Sequence, residues 1–144
     1  MLGYWGKPED TAHALRGGWL HSGDIGRMDA AGYVYIVDRV KDMINVSGFK
    51  VWPAEVENYL YQHPAVGEVA VYGVPHPEKG ESVRVAVVPK AGVALTGEAI
   101  IAYCREKLAA YKAPERVDIV IELPKNATGK ILKRVLREQA ERAA

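Results

Sequence analysis

The fold class this sequence predicts is α+β: a small sheet of about three strands flanked by helices. Three observations carry that reading. Two valine-rich runs, Val66 to Val74 and Ser82 to Pro89, are separated only by P-H-P-E-K-G, a link short enough to make antiparallel pairing the simple solution. A third run, V-D-I-V-I-E-L from Val117 to Leu123, alternates as a strand does. Between and after these runs, apolar residues fall at helical spacing.

Near the N-terminus, Glu9 to Leu15 is a short helical candidate. From Ile25 to Asp38, two β-prone arms flank D-A-A-G, whose opening Asp and closing Gly suit a tight hairpin loop. Tyr33, Tyr35 and Val37 would share one face and Val34 and Ile36 the other, which predicts a buried or stacking hairpin. Asp38 to Glu57 reads as a linker, a strand or hairpin, a turn at Ser47-Gly48, and a helix opened by Pro53, whose missing N–H costs nothing at a first helical position. In that helix Val56, Tyr59 and Leu60 face one way, Glu55 and Glu57 favour the positive end of the dipole, and Pro64 marks the stop after His63. Thr96 is the expected N-cap of a second helix, with Ile100, Ile101, Cys104 and Leu108 as its apolar stripe out to about Ala110. Ile131 to Ala143 is the closing helix, with Leu132, Val135 and Leu136 inward.

With 144 residues, 49% apolar and 26% charged, the chain has the composition of an ordinary globular protein. Nineteen basic against eighteen acidic residues leave a formal charge of +1, which argues against nucleic-acid or membrane binding driven by bulk charge. A single cysteine, Cys104, excludes an internal disulfide framework and sits on an apolar stripe as a core residue. The opening M-L-G-Y-W-G-K-P-E-D lacks the layout of a secretory signal, and no apolar run approaches the ~18 residues of a membrane span. The expected setting is cytoplasmic, with no integral membrane segment and room for a peripheral membrane visit. His13, His21, His63 and His76 show no metal-ligating spacing, so no protein-built metal site is expected.

Several residues have the chemistry of a site. Asp24 follows Ser22-Gly23, where glycine turns the backbone sharply and exposes a carboxylate able to accept two hydrogen bonds. Arg39 and Lys41 are basic residues at the seam after Asp38; either reads equally well as an exposed charge. Ser47-Gly48-Phe49-Lys50 is a turn with a basic exit, in which Phe49, like Trp52 nearby, reads first as core. Lys125 to Arg137 holds five basic residues and no acidic one, with Thr128-Gly129-Lys130 ahead of a helix start, where backbone N–H groups and a lysine make an anion site. A basic helix face accounts for Lys133, Arg134 and Arg137 better than for Lys130.

L-H-S-G-D at 20–24, D-R-V-K-D-M-I-N-V-S-G-F-K-V-W-P at 38–53 and L-P-K-N-A-T-G-K at 123–130, in that order, resemble the motifs of the acyl- and aryl-CoA synthetases, the adenylate-forming enzymes. The middle run looks most like the long- and medium-chain fatty-acid branch. The resemblance implies that 1–38 ends a large N-terminal adenylation domain, 39–42 is a hinge, and 43–144 is a mobile C-terminal domain. It makes the chain a piece of a longer acid–thiol ligase, inactive by itself and partnered by that missing N-terminal domain. It further implies ATP with Mg2+, a small-molecule carboxylic acid, and coenzyme A as co-substrate. Lys130 would be the catalytic lysine of adenylation. Asp24 would hold the ribose hydroxyls of the nucleotide, with Arg39 reaching the ribose from the far side of the cleft. Lys41 would be the hinge residue, and Gly48, Phe49 and Lys50 would form the thioester face along the pantetheine passage. An aryl-CoA or succinylbenzoate-CoA ligase shares the same pattern; a non-catalytic module binding a phosphate ligand is the alternative of a different class.

Overall fold

The computed structural model describes residues 1–143, which fall into two compact units, Met1–Lys41 and the residues from Asp42 onward. The first unit holds helix α1 (Pro8–Ala14), a single turn of tight helix at Arg16–Gly18, and a hairpin of β1 (Asp24–Met28) and β2 (Val34–Arg39). Asp29 closes the hairpin loop: its carboxylate accepts from the N–H groups of Ala31 and Tyr33 and from the Tyr35 hydroxyl. These bonds hold its pKa below the usual carboxylate value. The hairpin is not buried within the unit, contrary to expectation. Val34, Tyr35 and Ile36 are all exposed, because a two-stranded ribbon has no second layer of its own to cover either face. Arg27 does stack over the Tyr35 ring at 4.8 Å.

The second unit is built on a five-stranded sheet. Strands β3 (Ile44–Val46) and β4 (Phe49–Val51) form a short hairpin, helix α2 (Pro53–Leu60) follows, and then come β5 (Val66–His76) and β6 (Gly80–Pro89). Helix α3 (Gly97–Lys107), strand β7 (Arg116–Ile119) and helix α4 (Lys133–Arg142) complete it. β5 and β6 pair antiparallel as expected, from Val66 opposite Pro89 to His76 opposite Gly80. The other edge of β6 takes β3 at Gly80 and β7, in parallel, from Arg84 to Val87. The three expected strands therefore form the body of the sheet, and the hairpin read at Ser47-Gly48 adds two more.

Alternation along β5 sorts the core. Val69 and Val71 point with Val83, Val85 and Val87 to one face, packed by Val56 and Leu60 of α2 and Ile100 and Cys104 of α3. Ala70, Tyr72 and Val74 point to the other, covered by Leu136 and Ala140 of α4 and by Leu123. Each fully buried Val or Leu contributes roughly 1.5–3 kcal/mol, so the two apolar clusters define which face each helix takes. Thr96 caps α3, its hydroxyl accepting from the Ala99 N–H at 3.3 Å.

Strand β7 ends four residues before the predicted Leu123. The Val120 N–H still reaches the Val87 carbonyl at 2.9 Å, but Ile121 is fully exposed and the chain turns toward Pro124, which cannot extend a ladder. Helix α2 stops at Leu60, before His63, and α4 starts two residues later than predicted because Lys125 and Ile131 are joined by a β-bridge.

Candidate functional site

In the first unit, the Ser22-Gly23 turn, with Gly23 at φ 80°, delivers Asp24 to the start of β1. Asp24 and Arg39 are direct cross-strand partners, with Nε and Oδ1 3.5 Å apart. They line a hollow of about 630 Å3 together with Arg16, His21, Gly23 and Lys41. Within it the Arg16 guanidinium stands 3.5 Å from His21 Nδ1. Three fixed cations and one carboxylate around one hollow suit an anionic ligand that also offers hydroxyl donors. Asp24 and Arg39 stand side by side. Strand pairing places both on the same hairpin.

In the second unit, Ser47 at φ 50° and Gly48 at φ 88° are the two central residues of the β3–β4 turn, the left-handed pair a two-residue hairpin loop demands. A Cβ at Gly48 would meet nothing within 4 Å, so the glycine answers to backbone conformation and leaves open space over the turn. Phe49 is exposed and stacks on Tyr111, ring centroids 4.7 Å apart; the reading of Phe49 as core is overturned, because it lies on the open face of a two-residue-turn hairpin. Trp52 is half-buried at the N-cap of α2. Lys50 is exposed on β4 opposite Asn45.

Lys130 sits on a loop braced from within. The Asn126 side-chain oxygen accepts from the N–H of Thr128 at 3.0 Å, the Thr128 hydroxyl at 2.8 Å and the N–H of Lys130 at 2.8 Å. Gly129, at φ 80°, donates its N–H to the Asn126 carbonyl. The expectation that backbone N–H groups here would grip an anion is thus corrected, since Asn126 already occupies them. What remains free is the lysine itself. Lys125 pairs with Glu68 at 2.7 Å, Lys133 with Glu57 at 2.8 Å, Arg134 with Glu138 at 2.6 Å and Arg137 with Asp42 at 3.1 Å. Among the described residues, Lys130 alone of the five has no carboxylate partner.

The Gly48 turn and the Lys130 loop lie at opposite ends of the sheet. The Ser47 N–H donates to the Lys79 carbonyl and Val46 pairs with Gly80, where β5 ends and β6 begins. Lys125, bridged to Ile131, holds Glu68 near the start of β5. From Glu68 to His76 is about 26 Å of extended strand at ~3.3 Å per residue. One lobe therefore carries two exposed, chemically distinct ends that no single small ligand can touch together.

Sequence reasoning missed Asn126, His76 and the pairing of Asp42 with Arg137. Asn126 was legible: an Asn two residues before Thr and three before Gly is an Asx-turn pattern. The other two depend on tertiary contacts.

Residues 55–130 match the family model of the AMP-binding enzyme C-terminal domain. The chain belongs to that family. Among its relatives, a long-chain-fatty-acid–CoA ligase of Escherichia coli is 51% identical over 140 residues, covering 97% of this chain and 25% of the relative. A feruloyl-CoA synthase of Amycolatopsis is 48% identical over 139 residues, 96% of this chain and 28% of the relative. The crystal structure of ATP-bound MatB from Rhodopseudomonas palustris superposes with a TM-score of 0.92 at 39% identity, covering 96% of this chain and 28% of that one. The chain spans about a quarter of the length of the curated relatives it matches. Membership of the AMP-binding C-terminal domain family agrees with the expected fold class and with the resemblance read from the three motifs.

Proposed function

We propose that this chain is the C-terminal part of an ATP-dependent fatty-acyl-CoA ligase, working with a large N-terminal domain of the same enzyme. A carboxylic acid and ATP give an acyl-adenylate and pyrophosphate. The coenzyme A thiol then attacks the acyl carbon: the C–S bond forms, the C–O bond to the adenylate phosphate breaks, AMP leaves with the electron pair, and the thiol proton passes to solvent. The fatty-acid branch is favoured by the 51% identity to a long-chain-fatty-acid–CoA ligase.

The observation that carries the reading is the unpaired Lys130 ammonium on its Asn126-braced loop. A fixed charge of this kind can stabilise the carboxylate and α-phosphate as negative charge redistributes, help typically worth ~3–4 kcal/mol. Asp24 and Arg39, side by side in their hollow, are assigned to the nucleotide ribose. Gly48, Phe49 and Lys50 are assigned to the thioester face, where the space above Gly48 admits a thin pantetheine chain. The division of the chain at Lys41 and Asp42 supports a hinge at 39–42, with Lys41 as the residue that turns. Two working ends some 26 Å apart by strand length require such a turn if both serve one reaction centre.

Magnesium belongs with ATP as the counterion of its phosphates. Among the described residues no group of three or more His, Cys, Asp or Glu could hold a metal. No helix among the described residues is long and apolar enough to cross a membrane.

The test is Lys130→Ala in the full-length enzyme. Pyrophosphate exchange should fall by about 100- to 1,000-fold, while thioester formation from supplied acyl-adenylate is retained. Equal loss in both half-reactions would overturn the assignment.

A further inference from the structure

The hairpin that carries Gly48 is anchored in the core by Ile44, Val46 and Val51. Its turn is tied besides to the backbone of the loop between β5 and β6, and one side chain organises that loop. His76 Nδ1 accepts from the N–H groups of Glu78 at 3.1 Å and Lys79 at 3.2 Å. Two donors on Nδ1 place the ring proton on Nε2, which faces Glu115 Oε2 at 3.7 Å. Glu115 also takes the Lys79 ammonium in an ion pair, and its own N–H is fixed to the Val83 carbonyl at 3.0 Å. Lys79 is thereby held at its backbone N–H and at its side chain. Its carbonyl accepts the Ser47 N–H at 2.8 Å, and Gly80 beside it pairs with Val46. A second tie runs in parallel, the Asn45 N–H donating to Glu81 Oε2 at 2.7 Å.

We propose that His76 is a positioning residue for the thioester step: through the Lys79 peptide, its Nδ1 sets the height and tilt of the Ser47-Gly48 turn. The inference rests on the assignment of Gly48 to the thioester face. His76 is half-buried and touches no reacting atom in this reading. Its effect is geometric, and a displacement of about 1 Å in a residue lining a reacting group can cost around 100-fold in rate.

The experiment uses the full-length enzyme with variants His76→Ala, His76→Asn and His76→Gln. Asn places its amide oxygen close to where Nδ1 stands, whereas Gln places its oxygen near Nε2. His76→Ala should slow thioester formation from supplied acyl-adenylate by about 10- to 100-fold while leaving pyrophosphate exchange within about twofold. His76→Asn should restore most of the rate and His76→Gln should not. Equal rates for the Ala and Asn variants, or parallel loss in both half-reactions, would overturn the proposal. Gly48→Val, forced from φ 88°, tests the foundation separately. If it leaves thioester formation intact, the thioester-face assignment falls and the His76 inference with it. If it slows that step while His76→Ala does not, only the His76 inference falls.

Discussion

Arg137 of α4 donates to Asp42 across 3.1 Å and so ties the closing helix to the first residue of the second unit. The two side chains are 29% and 19% exposed, which puts the pair between a surface salt bridge and a buried one. Removing the arginine strands a half-desolvated carboxylate; Arg137→Ala should cost about 1–2 kcal/mol in urea unfolding. Exchanging the two charges, Asp42→Arg with Arg137→Asp, should recover part of that loss. If the exchange is no better than either single change, the pair is incidental to α4 docking.

Asn126 offers a contrast between stability and activity. Its side chain serves three donors in a loop that is exposed throughout, so water can replace each bond when it is lost. Asn126→Ala should therefore cost no more than about 1 kcal/mol of stability. The same change frees the backbone of the Lys130 loop, and under the role proposed for Lys130 adenylate formation in the full-length enzyme should fall by about 10- to 100-fold. A melting curve and a pyrophosphate-exchange assay on one preparation check both halves. Unchanged exchange would mean that Lys130 aims itself.

The sheet and the two-sided packing were legible because β5 and β6 are strongly patterned and joined by a short loop, so pairing, direction and register followed from local sequence. The Ser47-Gly48 turn was legible for the same reason. The exposure of β2 and of Phe49 was not. Both are apolar, and nothing in a local window distinguishes an apolar residue facing the core from one on a surface that this chain does not cover. Lys130 stood out among the five basic residues of its stretch by motif, yet its freedom from carboxylates became visible only when Glu68, Glu57, Glu138 and Asp42 were seen to claim the other four. Three of those partners lie far away in sequence. Likewise, nothing around His76 announces that its ring organises the loop that follows.

Cys104 is fully buried on α3, and that burial pushes its thiol up to about 11. The thiolate is the reactive form, and almost none exists near neutral pH. Folded protein at about pH 8 should resist alkylation by iodoacetamide, and labelling should become complete in denaturing urea. Labelling of the folded chain at the rate of a free thiol would show that the α3 side of the sheet opens readily.

Glu115 gives a pH dependence with a definite sign. Its carboxyl lies below its ordinary value of 4.5, chiefly through the hydrogen bond from the Lys79 ammonium, with burial opposing and the Lys79 charge adding to it. A carboxylate whose pKa is depressed on folding contributes stability that is fully present above the unfolded value and lost as pH falls through the folded one. The window is therefore the acid side of 4.5. The Glu115 side chain is 37% exposed, so solvent screens the pair and the effect is modest. Lys79→Met keeps the peptide that supports the Gly48 turn and removes only the ammonium. Its urea midpoint should fall less steeply than that of the parent as pH drops below the ordinary carboxylate range, while the other carboxylates, Asp29 among them, titrate alike in both proteins. Superimposable acid limbs would mean that the Lys79 charge is fully screened.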